Sequence, residues 1–215
     1  MLKFILNIFN TEKIAEQSEI ISPDMKYLIV GLGNVGAEYA GTRHNIGFDI
    51  LDRLAEELNA SFKLENHAWV TSAKYKGKSL TLVKPTTYMN LSGKAVKFWM
   101  DRLSIPKEQI LVVLDDLHLN LGQLRIRPNG SDAGHNGLKH IDQMLGGNNY
   151  PRLKFGIGNQ FAKGRQSDFV LGKWSNDENK TVEEQLPKAI ACIQSFCFAG
   201  LANTMSTYNK SESKP

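Results

Sequence analysis

The stretch Tyr27–Leu58 reads YLIVGLGNVGAEYAGTRHNIGFDILDRLAEEL and sets the architecture of this chain. It opens with an apolar, β-prone run that ends at Val30 and passes into a glycine-rich turn. A helical pattern then begins near His44, with apolar residues on one stripe: Ile46, Ile50, Leu51, Leu54 and Leu58. A strand, a glycine turn and a helix in this order predict an α/β unit with a polar turn at the end of a strand.

Three glycines of this stretch match the G-x-G-x-x-G spacing of dinucleotide-binding sites: Gly31, Gly33 and Gly36. In such sites the helix opens at the third glycine, whereas here Ala37–Thr42 intervenes. The acids Asp52 and Glu56 fall inside the helical stretch, not at the end of a second strand where a ribose would be held. The glycines alone fit a tight turn with positive φ just as well.

Polar residues cluster around these glycines and favour a functional site over a simple turn: Asn34, Tyr39, Arg43, His44 and Asn45. His44 lies at or near the N-terminus of the predicted helix. The positive end of the helix dipole disfavours a charged imidazolium and helps to keep the ring neutral. A neutral ring can accept a proton, so His44 is a candidate general base.

Length and composition are those of an ordinary globular protein. The 215 residues suffice for one well-buried α/β domain or at most two small ones. Hydrophobic residues make up 41% and charged residues 22%, and the net charge of +4 is compatible with a phosphate-bearing partner without proving one. Cys192 and Cys197 are not placed for a local disulfide, so we expect buried, reduced thiols in a cytosolic protein.

Residues 1–24 differ from the rest of the chain. The segment begins with the amphipathic run MLKFILNIFN, which is too short and too interrupted for a membrane span and lacks a signal-peptide cleavage pattern. A flexible extension, a small docking helix and an artefact of start-site choice all fit. We expect a flexible extension over 1–24, a domain over 25–208 and a disordered tail over 209–215.

Two strand-like runs follow the first helix and form a predicted hairpin: Trp69–Tyr75 and Ser79–Val83. The second run enters the loop KPTTYMNLSG, where Pro85 ends the strand and Ser92 is predicted to cap a helix over Lys94–Leu103. Open α/β sheets bind ligands at strand ends. Three residues of the loop are therefore candidates for binding: Tyr88, Met89 and Asn90.

The run Ile110–Leu114 is continuously apolar, which is typical of a strand buried on both faces, and it ends in Asp115 and Asp116. Paired acids at a strand end could be metal ligands, helix caps or partners for a histidine. A metal site usually needs further carboxylates or histidines, and only His118 is close in sequence. We therefore expect no metal.

The rest of the chain predicts two strands, a glycine-rich loop and helices. The strands are Gln123–Arg127 and Arg152–Gly158, and the loop Asn129–Lys139 opens a helix that ends at Leu145. The amides of this loop suit a phosphate or a carbonyl, unless the loop is simply a flexible cap. Residues Gln166–Tyr208 are predicted to be mostly helical.

Together these blocks resemble bacterial peptidyl-tRNA hydrolase. The segments that carry the resemblance are GLGNVGAEYAGTRHN, KPTTYMNLSGKAV, LVVLDDLHL, and GHNGLK followed by RLKFGIG. They occur in the family's order and at its spacing between Met25 and Tyr208. The resemblance implies a single α/β domain with a mixed twisted β-sheet flanked by helices. It also implies hydrolysis of the ester bond between the peptide, or an N-blocked aminoacyl group, and tRNA, which recycles tRNA from prematurely released peptidyl-tRNA.

The resemblance also implies roles for individual residues. His44 is expected to be the catalytic base, Asp115 the acid that holds it in its basic form, and Asn34 a residue that helps to distinguish blocked from free aminoacyl groups. The residues expected to bind the acyl and terminal-nucleotide end of the substrate are Tyr39, Tyr88, Met89, Asn90, His135 and Asn136. Arg127 and Lys154 are expected to clamp the tRNA 5′-phosphate, with exposed strand residues that balance surface charge as the alternative.

The chain differs from the family pattern at two positions: Val35 stands where a proline is usual, and His118 stands where an acid is common. The quoted blocks contain no nucleophilic serine or cysteine, which favours direct attack by water over an acyl-enzyme. The resemblance implies a cytoplasmic monomer without cofactor, metal or membrane contact, acting on the acceptor stem and 3′ end of peptidyl-tRNA.

Two other classes of function stay open. A relative of this fold in plant chloroplasts serves in RNA splicing without known hydrolase activity, so a protein that only binds RNA is one alternative. An oxidoreductase with a nucleotide cofactor is the other. The presence of both His44 and Asp115 favours the enzyme, because binding alone would not need them.

Overall fold

The computed structural model describes residues 25–209, in which seven strands form one sheet. In chain order the strands are β1 (Lys26–Gly31), β2 (Lys63–Glu65), β3 (Ala68–Tyr75), β4 (Lys78–Pro85), β5 (Ile110–Asp116), β6 (Leu124–Arg127) and β7 (Arg152–Gly156). The helices are α1 (Ile46–Glu57), α2 (Ser92–Leu103), α3 (Asn136–Leu145), α4 (Gln166–Val170), α5 (Asn176–Ala199) and α6 (Leu201–Tyr208). The predicted extension over 1–24 lies outside the described residues, and none of the helices described is long and apolar enough to cross a membrane.

The order of strands across the sheet is β2-β3-β4-β1-β5-β7-β6. The four central strands run parallel, because β1 pairs in parallel with β4 and β5, and β5 pairs in parallel with β7. Antiparallel pairs complete both edges, with β2 and β3 at one and β6 at the other. The prediction of a single α/β domain with a mixed sheet is confirmed.

Helices cover both faces of the sheet, and β5 shows why. All seven of its residues are buried. Leu111 and Val113 pack in a cluster with residues of α1 and α5, whereas Val112 and Leu114 pack in a second cluster with residues of α2 and α3. A strand with apolar side chains on both faces needs a helical layer on each, as the sequence of this strand predicted.

Two glycines allow α1 to start against the sheet. A Cβ atom on Gly47 would lie 2.5 Å from the backbone of Leu32 and from the carbonyl oxygen of Val113, and one on Gly31 would lie 2.2 Å from the carbonyl oxygen of Gly47. Only glycine tolerates this approach. A 3-10 turn over Arg43–Asn45 immediately precedes α1, so the approach brings this turn to the end of β5.

The predicted capping role of Ser92 is wrong. α2 begins at Ser92 itself, and the hydroxyl of this residue donates to the carbonyl of Met89 at 2.9 Å. The N–H of Gly93 in the first turn instead donates to Nδ1 of His140, a residue of α3, at 2.9 Å. The cap of α2 therefore comes from a neighbouring helix, which local sequence patterns do not reveal. The short edge strand β2 was also not predicted.

Asn209, expected to open the disordered tail, is held in place in the structure. Its side-chain oxygen accepts the N–H of Ile126 at 2.8 Å, and its side-chain nitrogen donates to the carbonyl of Ile126 at 2.9 Å. The amide thus satisfies backbone groups that the edge strand β6 would otherwise leave unpaired. The ordered part of the chain extends at least to Asn209, and residues 210–215 lie outside the described range.

Replacing Gly47 with alanine should lower the free energy of unfolding by about 3 kcal/mol, the upper end of the usual cost of overpacking, because the methyl group forces α1 away from the sheet. Chemical denaturation measures this loss. Gly41→Ala is the control, since Gly41 has a φ of 69° but no atom within 4 Å of an added Cβ. It should cost only the strain of the left-handed backbone, about 1 to 2 kcal/mol. Equal losses in the two variants would contradict the argument from close approach.

Candidate active site

A cavity of about 650 Å³ opens at the carboxyl ends of the central strands. Asn34 reaches it from the turn after β1, the loop after β4 contributes Tyr88–Asn90, and β5 contributes Asp115 and Asp116. This is the edge of an open α/β sheet where ligands bind. The structure therefore joins segments that are far apart in the sequence, as predicted.

The Asp115 carboxylate is buried and receives two imidazole groups. Its Oδ1 lies 2.8 Å from Nδ1 of His44 and 3.1 Å from Nε2 of His135. A carboxylate can only accept hydrogen bonds, so each of these nitrogens carries a proton. The proton of neutral His44 is then on Nδ1, and Nε2 keeps its lone pair. Nε2 of His44 has no hydrogen-bond partner between Met25 and Asn209, and the residue lines the cavity.

The second ring nitrogen of His135 is also in use. His135 is the N-cap of α3, and its Nδ1 accepts the N–H groups of Gly137 at 3.1 Å and Leu138 at 3.3 Å. This fixes the tautomer independently, because Nδ1 must be unprotonated to accept. Both ring nitrogens of His135, a predicted substrate-binding residue, are therefore occupied by the protein's own groups.

The electrostatics of the pair favour a basic His44. Burial alone would lower the pKa of His44, but the charge of Asp115 and its hydrogen bond raise that pKa above the ordinary 6.5. Burial alone would raise the pKa of Asp115, yet the adjacent imidazoles of His44 and His135 hold it well below its usual range. Asp115 is therefore ionised wherever the protein is folded at moderate pH, and His44 is a stronger base than an ordinary histidine.

The orientation of the Asn34 side chain is set by backbone contacts. Its Oδ1 accepts the N–H of Met89 at 2.8 Å, so its NH₂ group remains available as a donor in a residue that lines the cavity. Asn45 holds the backbone of Asn34 in turn, since its Oδ1 accepts the Asn34 N–H at 2.8 Å and its Nδ2 donates to the Asn34 carbonyl at 2.9 Å. Asn45 belongs to the polar set around the glycines, but the sequence alone does not predict that its side chain bonds to the backbone of Asn34.

Apart from His135, which lines the cavity with both ring nitrogens in use, the predicted substrate-binding residues divide into three groups. Tyr88, Asn90 and Asn136 line the cavity and are exposed, and among the described residues the side chains of Asn90 and Asn136 have no hydrogen-bond partner. Met89 is buried in the cavity wall. Tyr39 is half-buried and is not among the residues that line the cavity.

The two predicted phosphate-binding residues lie on one face of the sheet, in neighbouring cross-strand pairs. Arg125 is opposite Lys154, and Arg127 is opposite Arg152. Lys154 lines the cavity, and its Nζ lies 2.8 Å from Oδ2 of the buried Asp116, whereas Arg127 is exposed and lies outside the cavity lining. The basic residue directly opposite Lys154 is thus Arg125, which was not among the predicted phosphate-binding residues.

The side chains of His44, Asp115 and His135 are close enough to be considered as metal ligands, with ligand atoms within 4.8 Å of one another in the described part of the chain. The hydrogen bonds of His135 argue against this role. A metal at Nε2 would need the lone pair there and a proton on Nδ1, but two backbone N–H groups already point at Nδ1. His118, the histidine considered from the sequence, does not belong to this group.

One wall of the cavity was not foreseen. It consists of Gln166, Ser167, Val170 and Leu171, in α4 and directly after it. These residues follow His44 by more than a hundred positions, and no motif marks them. Only the three-dimensional contacts between this segment and the turn that carries His44 reveal the wall.

A sequence model of peptidyl-tRNA hydrolase matches residues 28–215. The chain belongs to the peptidyl-tRNA hydrolase family. A relative of that name from Bacteroides fragilis is 53% identical over 186 residues, which cover 86% of this chain and 100% of the relative. One from Porphyromonas gingivalis is 51% identical over 185 residues, with 86% and 100% covered.

Solved structures of the peptidyl-tRNA hydrolase family are also similar. The enzyme from Acinetobacter baumannii superimposes with a TM-score of 0.82 at 34% identity, covering 86% of this chain and 95% of that one. A peptidyl-tRNA hydrolase in complex with N-propanol gives a TM-score of 0.83 at 34% identity, covering 89% and 98%. These likenesses confirm the family resemblance and the fold, while the roles of individual site residues stay predictions.

Replacing Asp115 with asparagine should lower the pKa of His44 from above 6.5 to below it, because burial remains while the carboxylate is lost. Titration of the His44 ring followed by NMR measures the shift. Asp132→Asn is the control, since Asp132 lines the same cavity and, within residues 25–209, its side chain accepts only the N–H of Gly134, a role that asparagine keeps. An unchanged pKa of His44 in Asp115→Asn would show that the carboxylate does not set its basicity.

Proposed function

We propose that this protein hydrolyses the ester bond between the peptide and tRNA in peptidyl-tRNA, with His44 as the general base. Membership of the peptidyl-tRNA hydrolase family supports the reaction. The observation that carries the role of His44 is its arrangement in the cavity: Nδ1 is held by the ionised Asp115, and Nε2 is left with a free lone pair. A base needs this state in order to take a proton from water.

The proposed step begins when Nε2 of His44 removes a proton from a water molecule, whose oxygen then attacks the ester carbonyl. Asp115 holds the ring in the required tautomer and stabilises the imidazolium that forms, as the acid of a catalytic triad does. When the tetrahedral intermediate collapses, the proton passes from His44 to the leaving 3′-terminal ribose oxygen. The products are the free peptide and tRNA with its hydroxyl group restored.

Side-chain amides are proposed to stabilise the negative charge that develops on the carbonyl oxygen of the ester when water attacks. Asn34 lines the cavity with its NH₂ group free to donate, and Asn90 and Asn136 line it with side-chain amides that have no partner among the described residues. Loss of one such donor typically costs about 100- to 1,000-fold in rate. Asn34 is also the proposed contact that distinguishes blocked from free aminoacyl groups, since its rigid backbone support fixes where its amide points.

Direct attack by water is preferred over an acyl-enzyme. Ser167 lines the cavity, but it makes no hydrogen bond to His44. An activated serine needs such a bond to its base. Both cysteines are buried, and burial raises the pKa of Cys192 to about 12, so neither offers a thiolate.

The tRNA end of the substrate is proposed to meet the basic face formed by β6 and β7. Arg127 is exposed there, and Lys154 lies in the neighbouring cross-strand pair at the cavity. Because Asp116 already neutralises Lys154, binding of a 5′-phosphate requires Lys154 to share its charge between two anions. Arg127 has no ion-pair partner within 25–209 and is the freer of the two.

The proposed activity is tested with purified protein and N-blocked aminoacyl-tRNA, by following the release of the acyl group. We expect rapid hydrolysis of the blocked substrate and slow hydrolysis of unblocked aminoacyl-tRNA, which serves as the control. A protein that binds tRNA tightly but leaves the blocked ester intact would refute the proposed reaction and support the binding-only alternative.

Replacing His44 with alanine should lower kcat by about 100-fold or more while the fold is retained, because proton transfer by a positioned base contributes about that much. Circular dichroism checks the fold, and the ester-release assay measures kcat. His67→Asn is the control, since His67 lies in the β2–β3 turn outside the cavity. Retention of more than about a tenth of kcat in His44→Ala would rule out the assigned base.

Replacing Arg127 and Lys154 together with alanine should raise KM for full-length N-blocked aminoacyl-tRNA and weaken the dependence of binding on salt, because fewer counterions are released. Activity on a short 3′-terminal fragment without the 5′-phosphate should change little. Lys63→Ala is the control for lost charge, since β2 lies at the opposite edge of the sheet from β6. Equal losses on the fragment and on full-length tRNA would disprove the clamp.

A further inference from the structure

The cavity wall at α4 needs support from outside the helix. α4 has only five residues, and none of them is buried. A helix of this length has too few internal hydrogen bonds to be stable by itself. Its position beside the cavity must therefore depend on contacts with other segments.

Arg43 provides several of these contacts. Its backbone N–H donates to the carbonyl of Gly172 at 3.1 Å, and its Nη1 donates to the carbonyls of Phe169 at 3.3 Å and Lys173 at 3.0 Å. Its guanidinium group also lies over the rings of Phe169 at 4.4 Å and Trp174 at 5.1 Å. These contacts flank the two apolar wall residues, Val170 and Leu171, in sequence.

The Arg43 side chain also contacts the start of α5. Nη2 of Arg43 lies 2.8 Å from both carboxylate oxygens of Glu178, and only 10% of the Arg43 side chain is exposed. Glu178 also accepts the N–H of Ser175 at 2.7 Å in the capping box of α5. Charge-assisted contacts with this little exposure are stronger than surface ion pairs. Arg43 thus ties the segment after α4 to a helix that packs in the core.

Arg43 directly precedes His44 in the 3-10 turn before α1. We propose that Arg43 is a positioning residue, which fixes the α4 wall relative to His44 so that the wall can contribute to substrate binding. The inference rests on the proposed function and adds to it a determinant of affinity. Arg43 does not line the cavity and makes no bond to His44 or Asp115. Its effect is therefore on binding and not on proton transfer.

The test compares Arg43→Met, Arg43→Lys and Glu178→Gln with Arg53→Met as the matched control. Arg53, a residue of α1, also pairs with an acid of α5, but its side chain is half-exposed and its contacts are longer, 3.5 Å to the carboxylate of Glu56 and 3.8 Å to that of Glu183. Arg43→Met should raise KM for N-blocked aminoacyl-tRNA about tenfold, as expected for loss of hydrogen bonds to a charged group. It should leave kcat and the acidic limb of the pH profile nearly unchanged, and Arg53→Met should change neither KM nor kcat.

Arg43→Lys should recover part of the affinity, because lysine keeps the charge but not the planar fork. Hydrogen exchange followed by mass spectrometry should become faster within 166–173 in Arg43→Met and Glu178→Gln. The double variant Arg43→Met/Glu178→Gln should raise KM by less than the two single effects combined, because both changes remove the same ion pair.

A fall in kcat with a shifted acidic limb would overturn the proposal, because Arg43 would then act through His44. Equal KM values and exchange rates in Arg43→Met and Arg53→Met would also overturn it. If Arg43→Met does not fold, the other two variants decide the question. Unchanged KM values and unchanged exchange rates in Arg43→Lys and Glu178→Gln would then overturn the proposal. If the wild-type protein does not hydrolyse the substrate, the proposed function fails, whereas the exchange rates within 166–173 still decide whether Arg43 anchors the wall.

Discussion

The site depends on a single carboxylate oxygen that accepts two imidazole protons. Oδ1 of Asp115 lies within hydrogen-bond distance of both His44 and His135, in a buried position where an unpaired charge would be costly. The two donors keep the carboxylate ionised, and the ionised carboxylate keeps the His44 proton on Nδ1. A free lone pair on Nε2 is a consequence of that arrangement and needs no further contact.

The three partners come from three segments, and backbone geometry brings them together. The close approach at Gly31 and Gly47 places the turn with His44 at the end of β5. The start of α3 then supplies His135, whose own N-cap bonds fix which nitrogen can donate to Asp115. One nitrogen of the His135 ring caps α3, and the other donates to Asp115. The same side chain therefore serves both the fold and the site.

Charge around the cavity is balanced by neighbouring pairs. Asp116 follows Asp115 in β5, but its carboxylate accepts the N–H of His118 and pairs with Lys154, so two adjacent acids serve different partners. His118, which departs from the family pattern, meets Asp116 through its backbone, and this contact does not depend on the identity of the side chain. Outside the cavity lining, Arg43 is paired with Glu178, and the uncharged residues Gln166 and Ser167 line the cavity.

The sequence alone determined the strand, glycine turn and helix at the start of the domain, the buried strand that ends in Asp115, and the identity of the family. These features are written in local periodicity and in short motifs, so neighbouring residues suffice to reveal them. It also singled out His44 and Asp115, although 71 positions separate them. Only the tertiary structure decided that His135 donates to Asp115, that His140 and not Ser92 caps α2, and that Tyr39 lies away from the cavity lining. Only the tertiary structure showed that Arg43 contacts the wall at α4. Hydrogen bonds between distant segments depend on how the helices pack on the sheet, and local sequence patterns do not reveal that packing.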